Sequence, residues 1–295
     1  MADRLFIIGN GFDLHHGIPS RFSQFGEYLL AADSSALRTI NEYLYIDEDF
    51  WACFEERLAS FDEDAVIDHA EQFLVGYGAD DWSDANHHDF EYEIEQVVDA
   101  LSRKMRNHFA DWIRQLPPVI PGYYSPVRCI DPGARFLTFN YTPTLESIYG
   151  VSPANVLHIH GNATVPSDQI VLGHGWERLD EEKLSPRVDE NTDTRIAGGY
   201  QLIDGYFADT FKPTDEIIER NAAFFGGLAD IDEVIVLGHS LSEVDAPYLS
   251  EVIRGIRFLA NWTVSYHENP EREIERMGNL GVVRNQMRFC PLSQL

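Results

Sequence analysis

Four polar stretches in this chain stand directly after short apolar runs, and each could do chemistry. Asn140 follows Arg135-Phe136-Leu137-Thr138-Phe139, and His160 follows Val156-Leu157-His158-Ile159. Gly9-Asn10-Gly11-Phe12-Asp13 follows Leu5-Phe6-Ile7-Ile8, and Gly238-His239-Ser240 follows Glu233–Leu237. A side-chain amide both donates and accepts, so Asn140 can fix a water or a sugar hydroxyl. An imidazole exchanges a proton near neutrality, so His160 can serve as a general acid or base. Glycines at a strand end let backbone approach a pyrophosphate, and free N–H groups at the next helix start attract anions. The turn at Ser240 offers N–H groups and a hydroxyl to a phosphate or ribose, and Asp245 can accept from a hydroxyl. Each group also has a plain structural use. Asn140 suits a cap or turn, His160 a satisfied strand end, the glycines a tight turn, and Ser240 a helix N-cap.

Those residues need elements to hold them. Apolar runs without alternation suit strands buried on both faces, as in parallel sheets. The runs predict strands over 5–8, 135–139, 156–159, 233–237 and 262–266, with a shorter one over 169–172. Helical spacing predicts helices over 22–30, 36–44, 50–61, 65–75, 90–105 and 105–116. The expected division is a nucleotide-binding α/β domain over 1–20 and 131–295, with an inserted helical subdomain over 21–130 closed by Pro117-Pro118 and Pro121-Gly122. The acidic, Gly- and Asp-rich stretch over 176–207 reads as a loop, and Lys212 as an exposed lysine. Glu55 reads as solvated or ion-paired. In such sheets ligands bind beyond the carboxyl ends of the strands, near the point where strand order reverses.

Composition narrows the function classes. A chain of 295 residues with a formal charge of −27 repels nucleic-acid phosphates, and its best basic cluster, Arg103-Lys104-Met105-Arg106, sits in a helical pattern. No apolar run approaches the ~20 residues of a membrane span. The opening Met1-Ala2-Asp3-Arg4 lacks the charged and apolar regions of a signal peptide. Cys53, Cys129 and Cys290 are scattered, which implies reduced thiols and a cytoplasmic setting. No His-Glu-X-X-His or cysteine-pair spacing occurs, so no metal is expected. Gly238-His239-Ser240-Leu241-Ser242 lacks the second glycine of a nucleophile elbow.

Taken together the motifs resemble known families. Gly9-Asn10-Gly11 with Gly17-Ile18-Pro19, Thr138-Phe139-Asn140, His160-Gly161 and Gly238-His239-Ser240-Leu241 are similar, in the same order, to the NAD loop, catalytic Asn, catalytic His and ribose turn of sirtuins. The closer resemblance is to the AbiH abortive-infection family. It rests on Ile8-Gly9-Asn10-Gly11-Phe12-Asp13-Leu14, Trp51-X-X-Phe54-Glu55, Asn140-Tyr141-Thr142 and Gly238-His239-Ser240-Leu241-Ser242-X-X-Asp245. The chain departs from sirtuins in lacking a four-cysteine zinc module and in carrying Thr142 where they have an Asp. The resemblance implies a parallel-sheet, Rossmann-like fold of the sirtuin kind with a large helical insertion. It implies an antiphage protein that hydrolyses the nicotinamide–ribose bond of NAD⁺ through Asn140 and His160. Gly9, Asn10, Gly11, Phe12, Asp13, Arg21, Gly238, Ser240 and Asp245 would hold the dinucleotide. The other reading is a non-catalytic sensor or scaffold that binds NAD or ADP-ribose. Self-assembly into a homo-oligomer, or a defence partner protein, would be the macromolecular contact.

Overall fold

Leu5, Phe6, Ile7 and Ile8 are all buried, as an unbroken apolar run requires of a strand covered on both faces. They belong to β1 (Arg4–Ile8) of a six-stranded, wholly parallel sheet. The other strands are β2 (Arg135–Thr138), β3 (Val156–His158), β4 (Glu233–Leu237), β5 (Asn261–Tyr266) and β6 (Met287–Pro291). The computed structural model describes residues 3–78, 86–119 and 124–295, and Pro121-Gly122 lies outside them. Strand order is β3-β2-β1-β4-β5-β6, so the order reverses between β1 and β4. That is the order of doubly wound, Rossmann-type sheets. Ile8 pairs with Thr138 on one side and Leu237 on the other. Leu5, Ile7, Val234 and Val236 enter one core, and Phe6, Ile8, Ile235 and Leu237 the opposite one. This is the period-two alternation of a strand.

Two expectations about strands need correction. Residues 169–172 form no ladder; Val171 N–H instead donates to the His160 carbonyl at 3.0 Å. β6 was not expected, because Arg288 and Phe289 leave its apolar run short and only partly buried.

By contacts the chain forms two compact units: residues 1–21, 110–171 and 213–295 make the sheet unit, and 22–109 with 172–212 the helical one. The expected insertion, 21–130, therefore runs too far. Val127 packs in the sheet core, and the N–H groups of Arg128 and Cys129 both donate to the Leu295 carbonyl. The expected helix over 50–61 is also broken, into Phe54–Arg57 and a 3₁₀ turn Leu58–Ser60. Ser60 Oγ donates to the Arg57 carbonyl at 2.6 Å there, a local bond that competes with the helical ladder.

The larger correction lies in 176–207, expected as a loop. Thr194–Thr210 is a 17-residue helix, capped by Asp193, which accepts from Arg195 N–H. Its buried face runs Arg195, Gly199, Ile203, Tyr206, Phe207 and Thr210, at helical spacing. Gly198-Gly199 disguises the pattern, since glycine is a poor helix former. A Cβ on Gly199 would stand 2.6 Å from Phe90 Cε1 and 2.7 Å from Ile94 Cδ1, so this glycine permits close helix approach. Gly199→Ala should therefore lower the melting temperature by a few degrees. Overpacking costs about 1–3 kcal/mol, and the helix-propensity gain of about 1 kcal/mol offsets only part. Gly205→Ala in the same helix meets nothing within 4 Å and should raise it.

Lys212 is fully buried, not exposed, and its Nζ pairs with Glu55 at 2.7 Å. His174 is buried beside it in the chain's only parallel bridge outside the sheet among the described residues, His174 with Phe211. Burial pushes the His174 imidazole down to about 4. Because the folded pKa lies below the unfolded one, the unfolded chain binds more protons between the two. Stability is thus full above about pH 6.5 and falls as pH drops towards 4, by about 3 kcal/mol from this residue. Thermal melts of wild type and His174→Gln across this window should converge as pH falls.

Candidate functional site

The turns after β1 and β4 lock together where the strand order reverses. Gly9 N–H donates to the Leu237 carbonyl at 3.0 Å, and Gly11 N–H to the Gly238 carbonyl at 2.8 Å. A Cβ on Gly9 would lie 2.5 Å from His239 Cα, and one on Gly11 2.8 Å from the Gly238 oxygen. The glycines thus serve the approach of one turn to the other. The N–H groups of Gly9, Gly11 and Phe12 donate to protein carbonyls, and the helix that follows, Asn10–His15, is a single short segment.

Three of the expected contacts in that loop are occupied by the protein. Phe12 is fully buried in the core beneath the turn. The Asn10 amide clasps Ser20, donating to its carbonyl at 2.8 Å and accepting from its hydroxyl at 2.6 Å. The Asp13 carboxylate accepts from Thr142 Oγ1 at 2.6 Å and Thr144 Oγ1 at 2.7 Å. Burial pushes the Asp13 carboxyl up, and the two threonine hydroxyls, the Asn140 amide and the charge of His158 pull it back. Nearby His16 is a fully satisfied ring. Nδ1 donates to the Phe12 carbonyl at 2.6 Å and Nε2 accepts from the Tyr149 hydroxyl at 2.6 Å.

A pocket of about 660 Å³ lies over the carboxyl ends of the strands. Gly11, Arg21, Gly238 and Ser240 line it, together with residues from the ends of β5 and β6. The size is that of a small-molecule site. Asn140, His160 and Asp245 are not among its lining residues. They form a buried layer at the ends of β2 and β3 and the start of the helix Ala246–Gly255.

That layer is built around Phe139. Its ring meets His239 at 4.3 Å between centroids and His160 at 5.3 Å. Both histidines turn Nε2 to the same carboxylate: His160 to Asp245 Oδ1 at 3.7 Å and His239 to Asp245 Oδ2 at 3.5 Å. Ser242 Oγ adds a hydrogen bond to Asp245 Oδ2 at 3.0 Å. Asp245 therefore faces both histidines. His239 Nδ1 accepts from Leu241 N–H at 2.8 Å, which leaves its proton on Nε2, facing Asp245. His239 also lines the pocket, so it joins the pocket to His160 through Asp245. The motif Gly238-His239-Ser240 carried this signal, a histidine just past a buried strand like His160, but the sequence expectation passed over it.

Asn140 stands apart chemically. It is only 6 % exposed, and its amide lies near enough to the Asp13 carboxylate to lower that group's pKa, yet neither amide atom reaches full hydrogen-bond geometry among the described residues. Its backbone is well held: Asn140 N–H donates to Thr138 Oγ1 at 3.1 Å, and its carbonyl faces His158 Nδ1 at 3.1 Å. Leaving a buried amide unmade costs about 1–3 kcal/mol unless a water or a ligand completes the bonds.

Fold and site define a parallel-sheet α/β protein with a pocket at its switch point and a buried histidine–carboxylate cluster at the same strand ends. The chain matches the family model for bacteriophage abortive infection AbiH over residues 5–266. It belongs to that family, and with it to antiphage abortive-infection defence. No curated protein matches the chain. Among the described residues no helix is long and apolar enough to cross a membrane.

Proposed function

We propose that this AbiH protein binds an NAD-type dinucleotide at the switch point and hydrolyses its nicotinamide–ribose bond. The observation that carries the proposal is the buried, unsatisfied amide of Asn140 at the strand edge where ligands of such sheets bind. In the reaction the C–N glycosidic bond breaks and its electron pair leaves with nicotinamide, neutralising the pyridinium. The ribose left behind has oxocarbenium character. Asn140 would hold a ribose hydroxyl or the attacking water, accepting with Oδ1 and donating with Nδ2. Water adds to the ribose carbon and its proton passes to His160, giving ADP-ribose. Asp245, 3.7 Å from His160 Nε2, would stabilise the imidazolium so formed. Arg21 and Ser240 would meet the diphosphate side of the ligand in the pocket.

A second reading, the sensor or scaffold that binds without turnover, draws on the 2 % exposure of His160. Mass spectrometry after incubating the full chain with NAD⁺, alone and with extract of phage-infected cells, separates the two. Release of nicotinamide and ADP-ribose supports hydrolysis. Retention of intact NAD⁺ without release supports the sensor, and neither binding nor release overturns both.

A further inference from the structure

Resting on the hydrolase reading above, we infer that His158 is a positioning residue: its imidazole carries both ring protons and staples the loop after β2, which fixes Asn140 for the reaction. β2 and β3 pair as far as Thr138 and His158, and Ile159 N–H closes the ladder on the Thr138 carbonyl at 3.1 Å. Asn140 lies beyond that ladder. There a side chain takes over from the main chain: His158 Nδ1 meets the Asn140 carbonyl at 3.1 Å. Nε2 of the same ring meets Glu146 Oε1 at 2.9 Å, in the helix Thr144–Tyr149. One imidazole thus bridges the two ends of the loop 140–146.

The two partners decide the state of the ring. A main-chain carbonyl and a carboxylate only accept, so each ring nitrogen must bring a proton. The ring is then a cation, and both of its bonds are charge-assisted. Burial strengthens them, since the His158 and Glu146 side chains are only 10 % and 18 % exposed. Asp13 holds the middle of the same loop through Thr142 at 2.6 Å and Thr144 at 2.7 Å, and its carboxylate feels the charge of His158. From β3 and from the helix after β1, the loop is pinned at Asn140, Thr142, Thr144 and Glu146. The Asn140 side chain therefore starts from a fixed backbone. A misplacement of about 1 Å at a reacting group costs on the order of 10²-fold in rate.

Two measurements on the full chain test this. Nitrogen NMR of ¹⁵N-histidine-labelled protein, with His158→Gln to assign the signal, should show both His158 ring nitrogens protonated at neutral pH. Glu146→Gln should leave one of them unprotonated. Steady-state kinetics with NAD⁺ should show kcat lowered by about 10²-fold in His158→Gln, with KM nearly unchanged. Glu146→Gln should lose less, because a neutral ring can still donate from Nδ1 to Asn140 while Nε2 accepts from the new amide. Val156→Ala thins the core under the same strand, so it should lower the melting temperature and leave kcat unchanged, which separates positioning from stability. A neutral His158 ring in folded wild type, or a kcat unmoved by His158→Gln, overturns the inference and leaves the hydrolase reading standing. Wild type that turns over no NAD⁺ overturns the hydrolase reading and the role of His158 with it; a doubly protonated ring would then mark a structural staple only.

Discussion

Gly238→Ala is expected to lower the melting temperature by roughly 10 °C or more, or to prevent folding of the sheet unit. Gly238 has φ +63°, a conformation that costs an alanine about 1–2 kcal/mol. Its Cβ would also overlap Phe12 N and the Gly11 backbone. Backbone in a locked turn cannot swing aside as a side chain can. The turn would have to open, weakening the Gly11-to-Gly238 bond and the one from Gly238 N–H to Ser265 Oγ. Each such bond contributes about 1 kcal/mol net. Stiffening the unfolded chain returns only about 0.4–1 kcal/mol. Gly150→Ala is the internal comparison. Gly150 has φ +65° but nothing within 4 Å of its would-be Cβ, so it bears the dihedral cost alone. Calorimetry should show a Gly150→Ala shift of a few degrees. Equal shifts in the two variants would mean that the contact between the β1 and β4 turns does not govern stability.

His160→Ala and Asn140→Ala are each expected to reduce nicotinamide release by about 10²–10⁴-fold, the usual range for a lost proton-transfer group. Their effects on folding should differ, and the difference carries the diagnosis. Asn140→Ala removes a buried amide that reaches no full hydrogen-bond geometry, and the relief of about 1–3 kcal/mol opposes the packing and the weak contact with Asp13 lost with the side chain. Its melting temperature should stay within a few degrees of wild type. His160→Ala strips one of two imidazoles from Asp245 and opens a cavity between Phe139, Tyr141 and Tyr248, so it should be clearly less stable. Asp245→Asn keeps the shape but loses the charge facing both rings. It should cut turnover while binding of NAD⁺ persists. If Asn140→Ala were strongly destabilised and fully active, the amide would be a structural turn residue and the hydrolase reading would fall.

Much of the scaffold could be read without coordinates. Continuous apolar runs identify five of the strands, because a strand covered on both faces tolerates no polar alternation. Their polar endings identify the edge where a site forms. The helix Thr194–Thr210 was hidden by Gly198-Gly199, whose reason for being there is contact with Phe90, a hundred residues away in sequence. Lys212 looked exposed because a lysine is buried only when a carboxylate meets it, and Glu55 is distant in the chain.

By itself the sequence determined the parallel α/β class, the glycine turns at the β1 and β4 ends, and the polar residues at the strand ends. Those follow from local rules of periodicity and backbone freedom. Tertiary structure alone decided what each polar group faces. It turned the Gly9 and Gly11 amides onto the neighbouring turn, set Asp245 between His160 and His239, and left the Asn140 amide buried without a completed bond. The reason is geometric: strand order brings residues separated by a hundred positions to one edge, and pairing across that edge has no signature within any one segment.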